Sequence, residues 1–223
     1  MNSMTESYAI SKQNRVRQLR EKGVYDKDTV HRILDAGLVA QVAFVQAGTP
    51  VIVPMIYGRE DETVFLHGAR KARVIRLLEK NSQACLNVTL LDGIVLARSA
   101  FNSSMNYRSV TVFGTPRLLD GDAAKLHAMR IISEHVMPGR WDELRAPLDR
   151  EVKMTGVIAL DIESASAKVS AGMPADEEED YAIPVWAGVL PLTARLGQLE
   201  DDDRLLPGVE ASAAVAALQD RTL

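Results

Sequence analysis

Between residues 38 and 67 the chain sets three short apolar runs in succession, LVAQVAFV, PVIVPMIY and TVFLH. They are rich in Val, Ile and Phe and are broken at Gly48 and at GREDE, so they are too short for helices and are spaced as hairpin strands. Pro50 and Pro54 lack the N–H that a central strand uses, which places the second run at an edge or makes it irregular. The texture returns in ACLNVTLLDGIVLARSA, where Asp92-Gly93 reads as a tight hairpin turn between two strands. SVTVFGTPRLL and TGVIALDIE supply further strands. About six strands with helices between them predict a mainly β fold with helices (α+β), a small antiparallel barrel with helical additions.

Helical spacing appears in three places. Asp26 offers an N-cap for a short helix through Val30, Ile33 and Leu34 to Gly37. ARKARVIRLLEK puts Val74, Ile75, Leu77 and Leu78 on one side. A longer amphipathic helix, capped by Asp120 or Asp122, carries the stripe Leu126, Met129, Ile132 and Val136 and ends at Pro138-Gly139. Residues 1–24 read as a polar, basic N-terminal arm, 25–192 as one domain, and 193–223 as a tail, partly helical or disordered. No repeat and no long linker divides the chain.

With a formal net charge of -4 and 5% aromatic residues, the surface is not built to neutralise nucleic-acid phosphates, and no nucleic-acid partner is expected. No apolar run nears the roughly 18 residues of a membrane span, and the N-terminus lacks the layout of a secretion signal, so a soluble, cytoplasmic protein without a membrane partner is expected. The single cysteine, Cys85, sits in an apolar run and reads as a small core residue. No Cys/His/carboxylate cluster has metal-site spacing, and no metal is expected. GxGxxG, P-loop and GxSxG patterns are all absent.

The chemistry-bearing stretch is FLHGARKARVIR. A strand ends at His67-Gly68, a helix begins at once, and Arg70, Lys71, Arg73 and Arg76 fall within seven residues with no acid before Glu79. Cations beside the unpaired N–H groups of a helix start suit a phosphate; a solvated basic helix face is the competing reading. His67 suits a hydrogen-bonded structural histidine as well as a proton relay. Asn106, Arg108 and Ser109 can donate hydrogen bonds to a ligand or simply close a loop-to-strand junction. Trp186, between Pro184 and Pro191, can pack over a flat ring or cap a core.

The ordered phrases PVIVPMIYG, VFLHGARKARVIRLL, LDGIVLARSAFNSSMNYRSVTVFG and AKVSAGMPADEEEDYAIPVWAGVLPL resemble the pyridoxamine 5′-phosphate oxidase-like family of FMN-binding split barrels, in the branch related to nitroimidazole-resistance flavoproteins. The resemblance implies a six-stranded antiparallel split barrel that forms a homodimer with FMN, or FAD, between protomers. It implies that the backbone of Val53, Pro54, Met55 and Tyr57 runs beside the flavin ring. Arg73 falls where the family anchors the phosphate, with Arg70, Lys71 and Gly68 beside it; the serine that precedes this arginine in the family is Ala72 here. Arg108-Ser109 stands where the oxidases have an arginine-glutamine pair, and Trp186 matches a tryptophan near the flavin. His67 matches a histidine implicated in chemistry in the nitroimidazole branch. The Arg-x-His substrate motif that follows the tryptophan in true oxidases is missing from AGVLPLTARLGQL, which argues against pyridoxamine phosphate oxidation.

The expected function is therefore an FMN-dependent oxidoreductase acting on a small flat acceptor of nitroaromatic or quinone type, with reduced nicotinamide as a possible donor. The alternative is a non-catalytic flavin- or haem-binding protein on the same scaffold.

Overall fold

The computed structural model describes residues 6–223 and is mainly antiparallel β with helices, the expected class. The chain divides into two compact units that interleave along the sequence, the first comprising residues 1–37, 87–112 and 164–193 and the second 38–86, 113–163 and 194–223. The part of the predicted N-terminal arm at 1–5 lies outside the described residues.

In the first unit, β1 (Gly23–Val24) precedes α1 (Lys27–Ala36), whose Asp26 cap accepts from the Thr29 N–H at 2.8 Å as predicted. The strand order is β1-β9-β6-β5, with β10 (Gly188–Pro191) on the last; β5 is Ala84–Leu96, β6 Ser104–Gly114 and β9 Ser164–Ser170. The Asp92-Gly93 hairpin is not formed. One strand, β5, runs through it, for two reasons. The Asp92 carboxylate is engaged by Arg108, with Nη2 at 2.7 Å, and Gly93 leaves room for β10. A Cβ there would meet Val189 Cγ1 at 3.0 Å. The N-terminal segment is pinned rather than loose: buried Asn14 donates to the carbonyls of Ala9 and Ala165, both at 3.0 Å, and accepts from the Ser11 N–H at 2.7 Å.

The second unit holds β2 (Val39–Gln46), β3 (Thr49–Glu60), β4 (Thr63–Ala69), β8 (Thr155–Asp161) and β7 (Pro116–Leu118), in that order. β3 pairs with β2 along Thr49–Ile56, while β4 joins β3 only from Tyr57 to Glu60. The prolines therefore lie where β3 has no strand on its second side among the described residues, which resolves the edge expectation in favour of a regular strand with a half-open edge. α2 (Arg73–Leu78) is shorter than its apolar spacing predicts. α3 (Asp122–Val136) starts from Gly121 at φ 83, so neither Asp120 nor Asp122 caps it. α4 is Asp149–Met154 and α5 Ala213–Ala216. The tail is folded within this unit, Arg195 bridging to Thr222.

α3 lies on the strands by burying Ala128 and Ile132 against Phe65, Leu119, Val157 and Ala159. Gly58 permits the approach, since a Cβ on it would lie 2.8 Å from the Ile131 backbone. Among the described residues no helix is long and apolar enough to cross a membrane.

Candidate functional site

A recess opens in the second unit where α3 leaves the sheet. His67 and Ile56 form its strand side. Met129, Ile132, Ser133 and Val136 come from α3 at successive helical turns, and Met137 and Trp141 close it beyond the helix. The cavity measures about 210 Å³ and its walls are apolar apart from His67 and Ser133. Glu134 sets the turn that carries the indole: its carboxylate accepts from the N–H of Gly139 at 2.7 Å and of Trp141 at 3.2 Å.

His67 sits on β4 opposite Val157. Its Nδ1 is buried and has no hydrogen-bond partner. Burial pushes the imidazole pKa below its usual value, so the ring is neutral near pH 7 and keeps a lone pair. An unpartnered buried nitrogen costs free energy unless something absent from the protein chain satisfies it, and a neutral imidazole in an apolar wall can ligate a metal or exchange a proton. On the neighbouring strand Tyr57 is fully buried, its ring centre 4.8 Å from that of His135 and tilted by 39°. Tyr57 thus presents only its backbone to any ligand.

The cation cluster is partly spent. Arg70 forms a two-bond pair with Glu79 at 3.1 Å, and its N–H donates to the Met154 carbonyl at 2.7 Å. Arg73 donates to the Gln46 side chain through Nε and Nη2. Lys71 and Arg76 are exposed and make no side-chain hydrogen bond or ion pair among the described residues. Gly68 faces Gly156 on β8, with Ile75 packed close by. Val53 and Met55 are half-buried and Pro54 exposed on the half-open stretch of β3, so their backbone groups border that unpaired edge.

The remaining predicted residues belong to the first unit. Arg108 is clamped by Asp92 through Nε and Nη2, which raises its pKa further. Asn106 donates to the Gly172 carbonyl at 3.0 Å and Ser109 to that of Lys168 at 3.4 Å. Trp186 is 68% exposed, with its ring over Gly188. Arg98 and Asp176, the latter's side chain fully buried, pair at 3.0 Å and hold the segment ahead of Trp186, with Arg98 lying 4.8 Å from the Tyr181 ring centre.

Sequence reasoning named Met129, Ile132 and Val136 only as a core stripe and passed over Met137 and Trp141. A second tryptophan two residues after the helix-ending Pro138-Gly139 is the available signal.

The sequence profile described as pyridoxamine 5′-phosphate oxidase matches residues 26–169. Among solved structures, a flavocytochrome from Azotobacter vinelandii is 38% identical, with 94% of this chain and 97% of that chain covered and a TM-score of 0.89. An FAD- and haem-binding protein from Mycobacterium smegmatis is 35% identical over 89% of this chain and 98% of its own, with a TM-score of 0.86. A protein assigned to 5-nitroimidazole antibiotic resistance in Bacteroides thetaiotaomicron shares the fold at 24% identity, covering 66% of this chain and 86% of that one, with a TM-score of 0.57. Among curated proteins nothing matches the chain.

Proposed function

Since the chain belongs to the pyridoxamine 5′-phosphate oxidase family, we propose that it is a redox protein that binds a flavin and a haem and acts as a homodimer. The observation that carries the haem half is His67: a neutral imidazole with an orphaned buried nitrogen in an apolar recess. The lining chemistry fits one edge of the group, the recess of about 210 Å³ being smaller than the whole macrocycle. His67 would ligate the iron, Met129, Met137 and Trp141 would pack on the macrocycle, and the aliphatic wall would exclude water. Two relatives that match nearly end to end are described as a flavocytochrome and as an FAD- and haem-binding protein, which supports this reading.

For the flavin, the unpaired edge of β3 at Val53 and Met55 offers backbone groups to the ring, and Lys71 and Arg73 offer charge to a phosphate. Arg73 would exchange its Gln46 contact for the phosphate. A bound flavin would supply two-electron chemistry of the kind a reduced nicotinamide donor needs, and a bound haem one-electron chemistry. The chain's part is to hold both groups, keep His67 unprotonated and keep the recess dry.

A sheet face supports the dimer reading. Val39 lies opposite Ile56 and Ala43 opposite Ile52, and Val39, Val45, Ile52 and Ile56 are all exposed, Ile52 to 65%. An apolar face of this kind on β2–β3, crossed by Gln41 opposite Pro54, suits a second copy, and because Ile56 also lines the recess, the partner would help to close it.

A second reading keeps the flavin and gives the recess to a flat acceptor, a quinone or nitroaromatic, with His67 supplying the proton. Haemin titration of the full chain separates the two. One haem per chain, with the Soret band shifted as for histidine ligation, supports the first. Unshifted, non-stoichiometric haemin together with reduction of a quinone by the flavin-loaded protein supports the second.

A further inference from the structure

The recess around His67 measures about 210 Å³. Sites that enclose a small molecule run from roughly 300 to 1,000 Å³, so a wall gives way before a macrocycle enters. Most of its walls are fixed. Ile56 is paired with Val39 of β2, His67 with Val157 of β8, and α3 is fastened through buried Ala128 and Ile132. The remaining wall is a turn. Met137 and Trp141 stand on residues 137–143, beyond the end of α3, with Met137 exposed and Trp141 half-buried.

This turn is fastened from outside by the segment 194–223 of the same unit. The ends of that segment are tied together: the Leu196 N–H donates to the Arg221 carbonyl and the Leu223 N–H to that of Ala194, both at 2.9 Å. The loop so closed brings α5 onto the turn. Gly139 has φ 80, and a Cβ on it would stand only 3.0 Å from Ala214 Cβ. Just ahead of α5, the Ser212 hydroxyl donates to the Glu143 carboxylate; with Arg140 at 2.7 Å it keeps that carboxyl below its usual value. Ser212 also accepts from the Val215 N–H at 3.3 Å, so one residue both caps α5 and fastens it.

On the α3 side the turn is held by Glu134, through the N–H groups of Gly139 and Trp141, and by the exposed Arg130–Asp142 pair, which is worth little in water. α5 is four residues long and buries no side chain. Contacts of that size open far more often than a paired strand or a packed helix, and lids are drawn from such low-stability segments. Resting on the haem reading above, we infer that residues 137–143 are a flap over the recess and that α5 is its latch, its release admitting the haem.

The test uses three variants of the full chain. Ala214→Gln keeps helix propensity and drives α5 off Gly139, Ser212→Ala removes cap and fastening together, and Ser212→Thr keeps both. Amide hydrogen exchange is followed without haemin, and then haemin uptake and its loss to an excess of a haem-scavenging globin. In Ala214→Gln and Ser212→Ala the 137–143 amides exchange about fivefold faster, the scale of one hydrogen bond, while β4 and β8 keep wild-type protection and so show that the variants fold. Haemin enters and leaves faster by a similar factor with the Soret position unchanged, and Ser212→Thr behaves as the wild type. A turn whose exchange both variants leave unchanged overturns the inference, and so does a loosened turn with wild-type haemin rates. If the wild type takes up no haemin while the variants still quicken exchange, the haem reading falls and the latch stands.

Discussion

Two cavities of this chain are built on opposite principles. The recess of the second unit is apolar and uncharged, and its one ionisable group is pushed toward neutrality by burial. A cavity of the first unit, walled by Val24, Ile33 and Val169, is rimmed by two guanidiniums, Arg108 steered by Asp92 and Arg32 hydrogen-bonded to Thr29. The former suits a ligand held by packing and one coordinate bond; the latter suits a ligand held by charge. The contrast teaches that a low overall charge says little about a site, since a chain of net -4 keeps two arginines at one cavity and excludes charge from the other.

The largest effect that would break the contrast is at His67. His67→Ala removes the one ligand of the recess: the histidine-type Soret shift disappears, bound flavin is unaffected, and added imidazole restores the shift. A full Soret shift in the variant would place the haem elsewhere. Next comes ionic strength. Raising salt from low to physiological weakens the flavin several-fold, as expected for a phosphate met by Lys71 and Arg73, and leaves haemin affinity flat. Equal salt dependence at both sites would erase the distinction.

Gly58→Ala tests the frame of the recess. Its Cβ would press on the Ile131 backbone, so the variant loses about 1–3 kcal/mol by denaturant unfolding and releases haemin faster. Flavin affinity holds, and a variant as stable as the wild type would refute the close approach of α3.

The smallest effect is at Glu151, whose carboxyl is held down to about 2, chiefly by Arg145 and then by the Leu148 N–H. A depressed carboxyl stabilises above its unfolded value of 4.5 and loses that contribution as pH falls toward 2. The melting-temperature advantage of the wild type over Glu151→Gln therefore shrinks between those limits, and an advantage that persisted at pH 2 would contradict the pairing.

Much of the fold was legible because it rests on local signals. Asp26 caps α1, and the turn at Gly48 joins β2 to β3, since capping and hairpin chemistry are written in adjacent residues. The failures arose where a distant partner overrode the local signal. Asp92-Gly93 has hairpin chemistry, but Arg108 takes the carboxylate and β10 takes the space beside the glycine. β9, SASAKVS, has too little apolar contrast to announce itself as a strand and forms by pairing between β1 and β6.

The site divides in the same way. His67 was visible as a polar residue ending an apolar strand. That Arg70 is already paired with Glu79, and that Arg32 bonds Thr29, depends on side-chain geometry that no spacing records. Trp141 reaches the recess only through the turn tied by Glu134.

One spectrum weighs the whole reading. The full chain, purified without added cofactor and treated anaerobically with reduced nicotinamide, should show flavin bands that bleach and a Soret band that moves to its reduced position. A colourless protein that takes up neither flavin nor haemin would contradict it.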